Sequence, residues 1–152
     1  MNLFFDVDYT IFSVDSETLR PGVKEVFERL RDDGHTIYIW SGAGIRTEEV
    51  ELFGLQDIVS GVFEKPTERY EKVVHDMLIR KQIPVLPDLV VDDSAPIVRA
   101  LGGILVPPFG AKVHDDRHME RVYRIIYDYA SNGHSRNEAF RPVFVSELYM
   151  GD

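Results

Sequence analysis

The chain has 152 residues, 44% of them hydrophobic and 28% charged, with a formal net charge of −9 and no cysteine. That size suits one domain burying around two-thirds of the surface its unfolded form exposes, and the ordinary composition excludes collagen-like and disordered classes. The acidic balance repels polyanions, which disfavours nucleic acid and suits cation binding, while the lack of cysteine excludes disulfides, thiolate zinc sites and thiol nucleophiles and fits a cytoplasmic protein.

No apolar run approaches the roughly 20 residues of a membrane span. Asp6 and Asp8 would interrupt the apolar segment of a signal peptide, so none is expected. In chain order, residues 3–7 read as a buried strand and 11–19 as a polar, irregular excursion. Pro21 then suits a first helical turn, and Val23, Val26, Phe27 and Leu30 recur at helical spacing up to Asp33-Gly34. Residues 36–40 form a second strand ending in Ser41-Gly42-Ala43-Gly44, and 45–53 a helix closed by Gly54. A third strand spans 58–63, followed by Glu64-Lys65-Pro66. Thr67 can cap the next helix, whose apolar stripe is Tyr70, Val73, Val74, Met77 and Leu78. Pro84 and Pro87 break the chain before Leu89-Val90-Val91, a fourth strand that delivers Asp92 and Asp93. A helix over 95–101, a strand over 103–106 and an amphipathic helix over 114–129 complete the series. Repeated strand-helix-strand units predict an α/β fold with a central parallel sheet and helices on both faces.

The polar residues sit in a consistent register. Each of the first four strands ends in something chemically useful: Asp6 and Asp8, then Ser41, then Lys65, then Asp92 and Asp93. A parallel sheet brings such ends to one edge, the place where open α/β sheets bind ligands. Carboxylates gathered there are expensive unless they meet a cation.

Those residues resemble the motifs of the haloacid dehalogenase superfamily, and most of all its magnesium-dependent phosphatases. Asp6-Val7-Asp8-Tyr9-Thr10 is similar to the first motif, Asp-x-Asp-x-Thr, and Ile37-Tyr38-Ile39-Trp40-Ser41-Gly42 to the second, an apolar strand ending in Ser or Thr. Lys65 fits the third-motif lysine, with Lys72 on the next helix as the alternative, and Val90-Val91-Asp92-Asp93-Ser94 fits the paired acids of the fourth. The resemblance spans residues 2–108. It implies a three-layer Rossmann-like core and does not speak for the chain beyond about residue 110; with the amphipathic helix over 114–129 added, the core is expected over residues 1–132, followed by a tail over 133–152 whose order the sequence leaves open.

The resemblance also implies a chemistry. Asp6 is the expected nucleophile, forming an aspartyl-phosphate intermediate. Mg²⁺ is expected on the Asp6 carboxylate, the Asp8 backbone carbonyl and the Asp93 carboxylate, with Asp92 acting through a bound water. Ser41 and backbone amides around Val7, Asp8 and Gly42 are expected to hold the phosphoryl oxygens, and Lys65 to neutralise charge on the phosphoryl group and Asp6. An acid at Asp8 can protonate the departing alkoxide and then activate water, which favours ester hydrolysis over carbon–halogen cleavage. The expectation is therefore a Mg²⁺-dependent phosphohydrolase acting on a phosphate monoester. The alternatives are a phosphotransferase of the same superfamily and a catalytically weak binding or regulatory protein.

Between Thr10 and Ser41, and between Ser41 and Lys65, the predicted elements leave no room for a cap domain. An open site follows, compatible with a bulky phosphorylated substrate, a permissive small-molecule phosphatase, or a lid lent by a second subunit of a homo-oligomer. Residues 12–17 and Gly44-Ile45-Arg46 are the nearest candidates for substrate contact, although a solvated helix-start arginine is the simpler reading of Arg46. His114 and His118, with Asp115 and Asp116 between them, read as a solvated first turn in preference to a metal site. His35, His75 and His134 have no visible partners, and Trp40 reads as core. Phe140, Val143, Phe144, Val145 and Leu148 give the tail apolar positions that can pack on the body or on a neighbour.

Overall fold

The computed structural model describes residues 1–15, 17–110 and 115–142. In chain order it contains β1 (Asn2–Asp6), β2 (Phe12–Ser13), β3 (Thr18–Leu19), α1 (Val23–Asp32), β4 (Thr36–Ser41), α2 (Thr47–Leu52) and β5 (Gly61–Glu64). These are followed by α3 (Tyr70–Ile79), β6 (Leu89–Asp92), α4 (Ala95–Leu101), β7 (Gly103–Leu105), α5 (His118–Asn132) and β8 (Phe140–Arg141). The main sheet has the order β5-β4-β1-β6-β7-β8. Its first five members are parallel, and β8 pairs antiparallel with β7. β1 thus lies between the two strands with which it must share an edge, and the strand order reverses beside it, a ligand-binding position in sheets of this kind.

Residue parity sorts the core into two layers. Leu3, Phe5, Ile37, Ile39, Leu89 and Val91 face one side, where they pack with Val26, Phe27 and Leu30 of α1, Val50 of α2 and Ile125 and Ile126 of α5. Phe4, Tyr38, Trp40 and Val90 face the other, against Val74 and Met77 of α3 and Ile97 and Val98 of α4. The near-continuous apolar runs of these strands are what burial on both faces requires. The result is an α/β, three-layer, Rossmann-like arrangement. Gly103 is obligatory within it, because a Cβ there would lie 1.9 Å from the Val90 carbonyl oxygen of the neighbouring strand. Among the described residues no helix is long and apolar enough to cross a membrane.

Several boundaries depart from the sequence-based expectation for identifiable reasons. The excursion after β1 is a hairpin, not an irregular loop: Phe12 is buried and packs 5.3 Å from the Phe53 ring, which draws Phe12 and Ser13 into a β2–β3 pair with Thr18 and Leu19. The third strand begins at Gly61, and Ile58 is buried in the turn that precedes it. Thr67 does not cap α3, which starts at Tyr70 with Arg69 in a left-handed conformation at its N-cap. Phe140–Arg141 joins the sheet beside β7, so the body extends past residue 132 into the expected tail. His114 and the apolar positions Val143, Phe144, Val145 and Leu148 lie outside the described residues.

The last helix also starts late, at His118, and Asp116 explains why. Asp116 is not part of a solvated first turn; it is buried against Arg20, whose Nε lies 3.0 Å from both carboxylate oxygens. Arg20 itself is 1% exposed and donates to the Thr10 carbonyl at 3.0 Å and the Pro107 carbonyl at 2.8 Å. One guanidinium therefore ties the loop after β1, the loop after β7 and the approach to α5. Removing one member of a buried pair strands the other charge, so Arg20→Met should lower the unfolding free energy by about 3–5 kcal/mol. The double variant Arg20→Met/Asp116→Leu should recover a large part of that loss in urea denaturation, whereas equal losses in the single and double variants would show that the lost carbonyl contacts dominate.

Candidate functional site

Parity places the last residue of each central strand where chemistry is possible. Asp6 and Asp92 follow Phe4 and Val90 on the α3–α4 side of the sheet, and both are buried, at 4% and 0% exposure. Lys65, just beyond β5, crosses over the end of β4 and donates from Nζ to Asp6 Oδ1 and to Asp92 Oδ2, both at 2.9 Å. Its backbone N–H donates to the Ser41 carbonyl at 2.9 Å, which fixes where the side chain departs. Lys72, the alternative, is exposed on α3. Asp93 adds a third carboxyl group, and one oxygen from each of Asp6, Asp92 and Asp93 lies within 4.8 Å of the others.

Thr10 stitches the first and fourth strand ends together. Its hydroxyl accepts the Asp93 N–H at 3.1 Å and lies 3.0 Å from Asp6 Oδ2 and 3.3 Å from Asp93 Oδ1, either of which can take its single proton. It is fully buried. Asp92 is held separately by the Ser94 N–H at 2.9 Å. Ser41 is buried at the end of β4, its hydroxyl accepting the Ala43 N–H at 3.2 Å. Gly42 is exposed, and a Cβ there would come within 3.1 Å of the Thr67 methyl, a tight contact that would need that side chain to give by a few tenths of an ångström.

Asp8 is engaged differently. Its carboxylate oxygens accept from Arg46 Nη1 at 2.8 and 2.7 Å, and Arg46 Nε pairs in turn with Glu49 at 3.1 Å. Arg46 is consequently not a solvated helix-start residue. Of the expected substrate-contact positions in the hairpin, Phe12 is core, while Val14, Asp15 and Glu17 are exposed at its tip. Among the histidines, His35 receives a contact from the chain's amino group at 3.0 Å and His134 meets Phe140 edge-on.

The electrostatics are those of a site short of positive charge. Burial raises the Asp6 carboxyl from 3.8 to about 6, outweighing the attraction of Lys65. Burial, then the charge of Asp6, raises Asp92 to about 6 as well, against Lys65 and the Ser94 amide. Asp93 is raised in the same direction, chiefly by burial. Burial alone would lower the Lys65 ammonium, but Asp6 and Asp92 reverse that and hold it protonated. One ammonium cannot neutralise three carboxylates. Among the described residues a hard divalent cation fits the donor set, which is all oxygen and has no competing imidazole or thiolate. Comparison of the chain with family models, with curated proteins and with solved structures gives no match.

These shifts make a stability prediction. A carboxyl whose folded value exceeds its unfolded one contributes stability that is complete below the unfolded value and lost as pH rises through the folded one. In metal-free protein, Asp6 and Asp92 should therefore withdraw stability between pH 4 and pH 7. Asp92→Asn should raise the Tm in EDTA at pH 7.5 and change it little at pH 4.5, a comparison that cancels the titration of other groups. Added Mg²⁺ should raise the wild-type Tm more at pH 7.5 than at pH 4.5. A variant less stable than wild type at pH 7.5 in EDTA would contradict the charge deficit.

Proposed function

We propose that the chain is a Mg²⁺-dependent phosphohydrolase of the haloacid dehalogenase type, cleaving phosphate monoesters through an aspartyl-phosphate on Asp6. The observation that carries this reading is the convergence of Asp6, Asp92 and Asp93 at one sheet edge with Lys65 bridging Asp6 and Asp92. A purely structural cluster would balance its charges, since unit like charges about 4 Å apart cost roughly 4 kcal/mol at an effective dielectric of 20. Here the imbalance is kept, and keeping it makes sense where a dication is to be held.

In this reading Asp6 and Asp93 hold the cation directly, with Asp92 and the Asp8 backbone in support. Bound Mg²⁺ supplies the positive charge that lets a phosphate dianion approach a carboxylate. The free oxygen of Asp6 attacks phosphorus, and the bond from phosphorus to the leaving-group oxygen breaks. Asp8, which Arg46 holds through both carboxylate oxygens, leaves that pair and takes up a proton from solvent, then delivers it to that oxygen. Water then attacks the phosphoryl group, Asp8 accepts its proton, and the Asp6–phosphate bond breaks to release inorganic phosphate. Lys65 keeps the Asp6 carboxylate from rotating and faces the phosphoryl oxygens with its ammonium. Ser41 and the Gly42 loop flank the same position on the β4 side.

Hydrolysis is favoured over transfer by what surrounds the edge. Among the described residues, only the β2–β3 hairpin lies between β1 and α1, and only α2 between β4 and β5, so nothing there excludes water. The test is turnover of p-nitrophenyl phosphate by purified protein. Activity should require Mg²⁺, vanish in Asp6→Asn, and fall about 10²- to 10⁴-fold in Asp8→Asn. Asp8→Asn should retain a Mg²⁺-induced rise in Tm. Turnover that persists in EDTA would remove the proposed metal, turnover that persists in Asp6→Asn would remove the proposed nucleophile, and no turnover by the wild type with Mg²⁺ would leave a binding protein as the better reading.

A further inference from the structure

Beside Lys65 a groove of about 580 Å³ runs from the Gly42 loop down between β5 and α3. That volume falls in the range of small-molecule sites, about 300–1,000 Å³. It begins at the same ammonium that touches Asp6 and Asp92, so a group attached to a phosphoryl moiety at Asp6 has this groove directly available. Phe63, Val73 and Met77 line its body, and Ile45 stands at the rim with 64% of its surface exposed.

Gly61 sets the width of the groove. It lies two residues before Phe63 on the same face of β5, and a Cβ there would meet the Phe63 ring at 2.6 and 2.7 Å and the Tyr38 ring at 3.3 Å. The Phe63 ring is thus folded back along its own strand, over the place a side chain at position 61 would take, with its centroid 5.9 Å from that of Tyr38 and 6.5 Å from that of Phe4. Gly61 is not among the residues with positive φ, so the backbone does not call for glycine at this point; the room for the ring does. Folded back, Phe63 is a wall of the groove and does not project across it.

The lining carries little usable charge. Lys65 is already bonded to two carboxylates. Glu64 follows Phe63 on the strand, and its side chain leaves on the Val62 side of the sheet, away from α3. Thr67 and Gln82 are uncharged, which leaves Glu68, exposed to solvent, as the remaining ionised group. A charged leaving group would lose hydration in the groove and find no buried partner there.

We infer that this groove, kept open by Gly61, binds the leaving group of a phosphate monoester whose body is apolar and uncharged. The assignment rests on the phosphohydrolase reading above and adds the substrate class to it, with Gly61 as the residue that sets specificity.

Ethyl, n-butyl and n-hexyl phosphate test it, assayed with Mg²⁺ by phosphate release; their leaving alcohols are nearly equal in acidity, so they differ in the apolar length they bring to the groove. The kcat/KM should rise about 2-fold per methylene from ethyl to hexyl, carried by KM. With 6-aminohexyl phosphate it should fall back to the ethyl level. In Gly61→Ala the displaced Phe63 ring should flatten the series, and Ile45→Ser, a change at an exposed position, should reduce its slope; the ratio of hexyl to ethyl within each protein is the quantity read. A flat series in the wild type, an aminohexyl ester as good as the hexyl one, or a slope that survives both substitutions would overturn the groove assignment while leaving the phosphohydrolase reading intact. So would failure of every alkyl ester in protein that turns over p-nitrophenyl phosphate, whereas failure of that ester as well would overturn both.

Discussion

Three carboxyl groups gather at the C-terminal edge of this sheet around one ammonium that reaches two of them, and the arrangement of the chain around that edge keeps them there. Asp6 and Asp92 are buried and Lys65 spans them at 2.9 Å on each side, while Asp93 closes the group through Thr10. Both buried acids are pushed up to about 6, which says that their ionised forms are costly in the metal-free protein. Retaining such a cost lowers stability, as strained functional sites commonly do, and fits the cation site proposed above.

The scaffold that imposes this cost is the alternation of side chains along β1, β4 and β6. Phe4, Tyr38, Trp40 and Val90 are committed to one apolar layer, and Leu3, Phe5, Ile37, Ile39, Leu89 and Val91 to the other. A shift of register by one residue would exchange the layers and carry Asp6 and Asp92 to the opposite face. The hydrophobic effect thus sets the positions of the carboxylates to within a residue. Hydrogen bonds from Thr10 and Ser94 set the remaining detail. Arg20 works behind this layer, holding the Thr10 carbonyl from the far side of the loop and keeping the hairpin and the approach to α5 in fixed relation to it.

What could be read from the sequence follows the same division. Strand cores and the acids ending them were legible because burial on both faces demands unbroken apolar runs, and Asp6 and Asp92 each follow one directly, with Asp93 next in the chain. Lys65 was legible only as one of two candidates, since which lysine crosses β4 depends on where α3 begins, and that is set by the backbone at Arg69. The partners of Arg20, Arg46 and Thr10 were not legible, because they are remote in sequence or on another element: Asp116 for Arg20, Asp8 for Arg46, Asp93 for Thr10. Asp116 illustrates the general difficulty. Flanked by Asp115 and Arg117 it reads as a solvated turn, and only the approach of Arg20 makes it a buried anchor. The β2–β3 hairpin and β8 are two residues per strand, too short to carry a periodic signal, and their existence reflects where Phe12 and Phe140 find apolar neighbours.

The central claim is that these carboxylates, drawn from the two halves of the body, act on one divalent cation. Crystals grown in Mn²⁺, whose anomalous signal identifies the ion, test it most directly. The account predicts a single strong peak bonded to carboxylate oxygens of both Asp6 and Asp93, with Lys65 still on Asp6 and Asp92. A peak that leaves out either Asp6 or Asp93, or crystals in which those two residues carry no ion while other acids do, would contradict it.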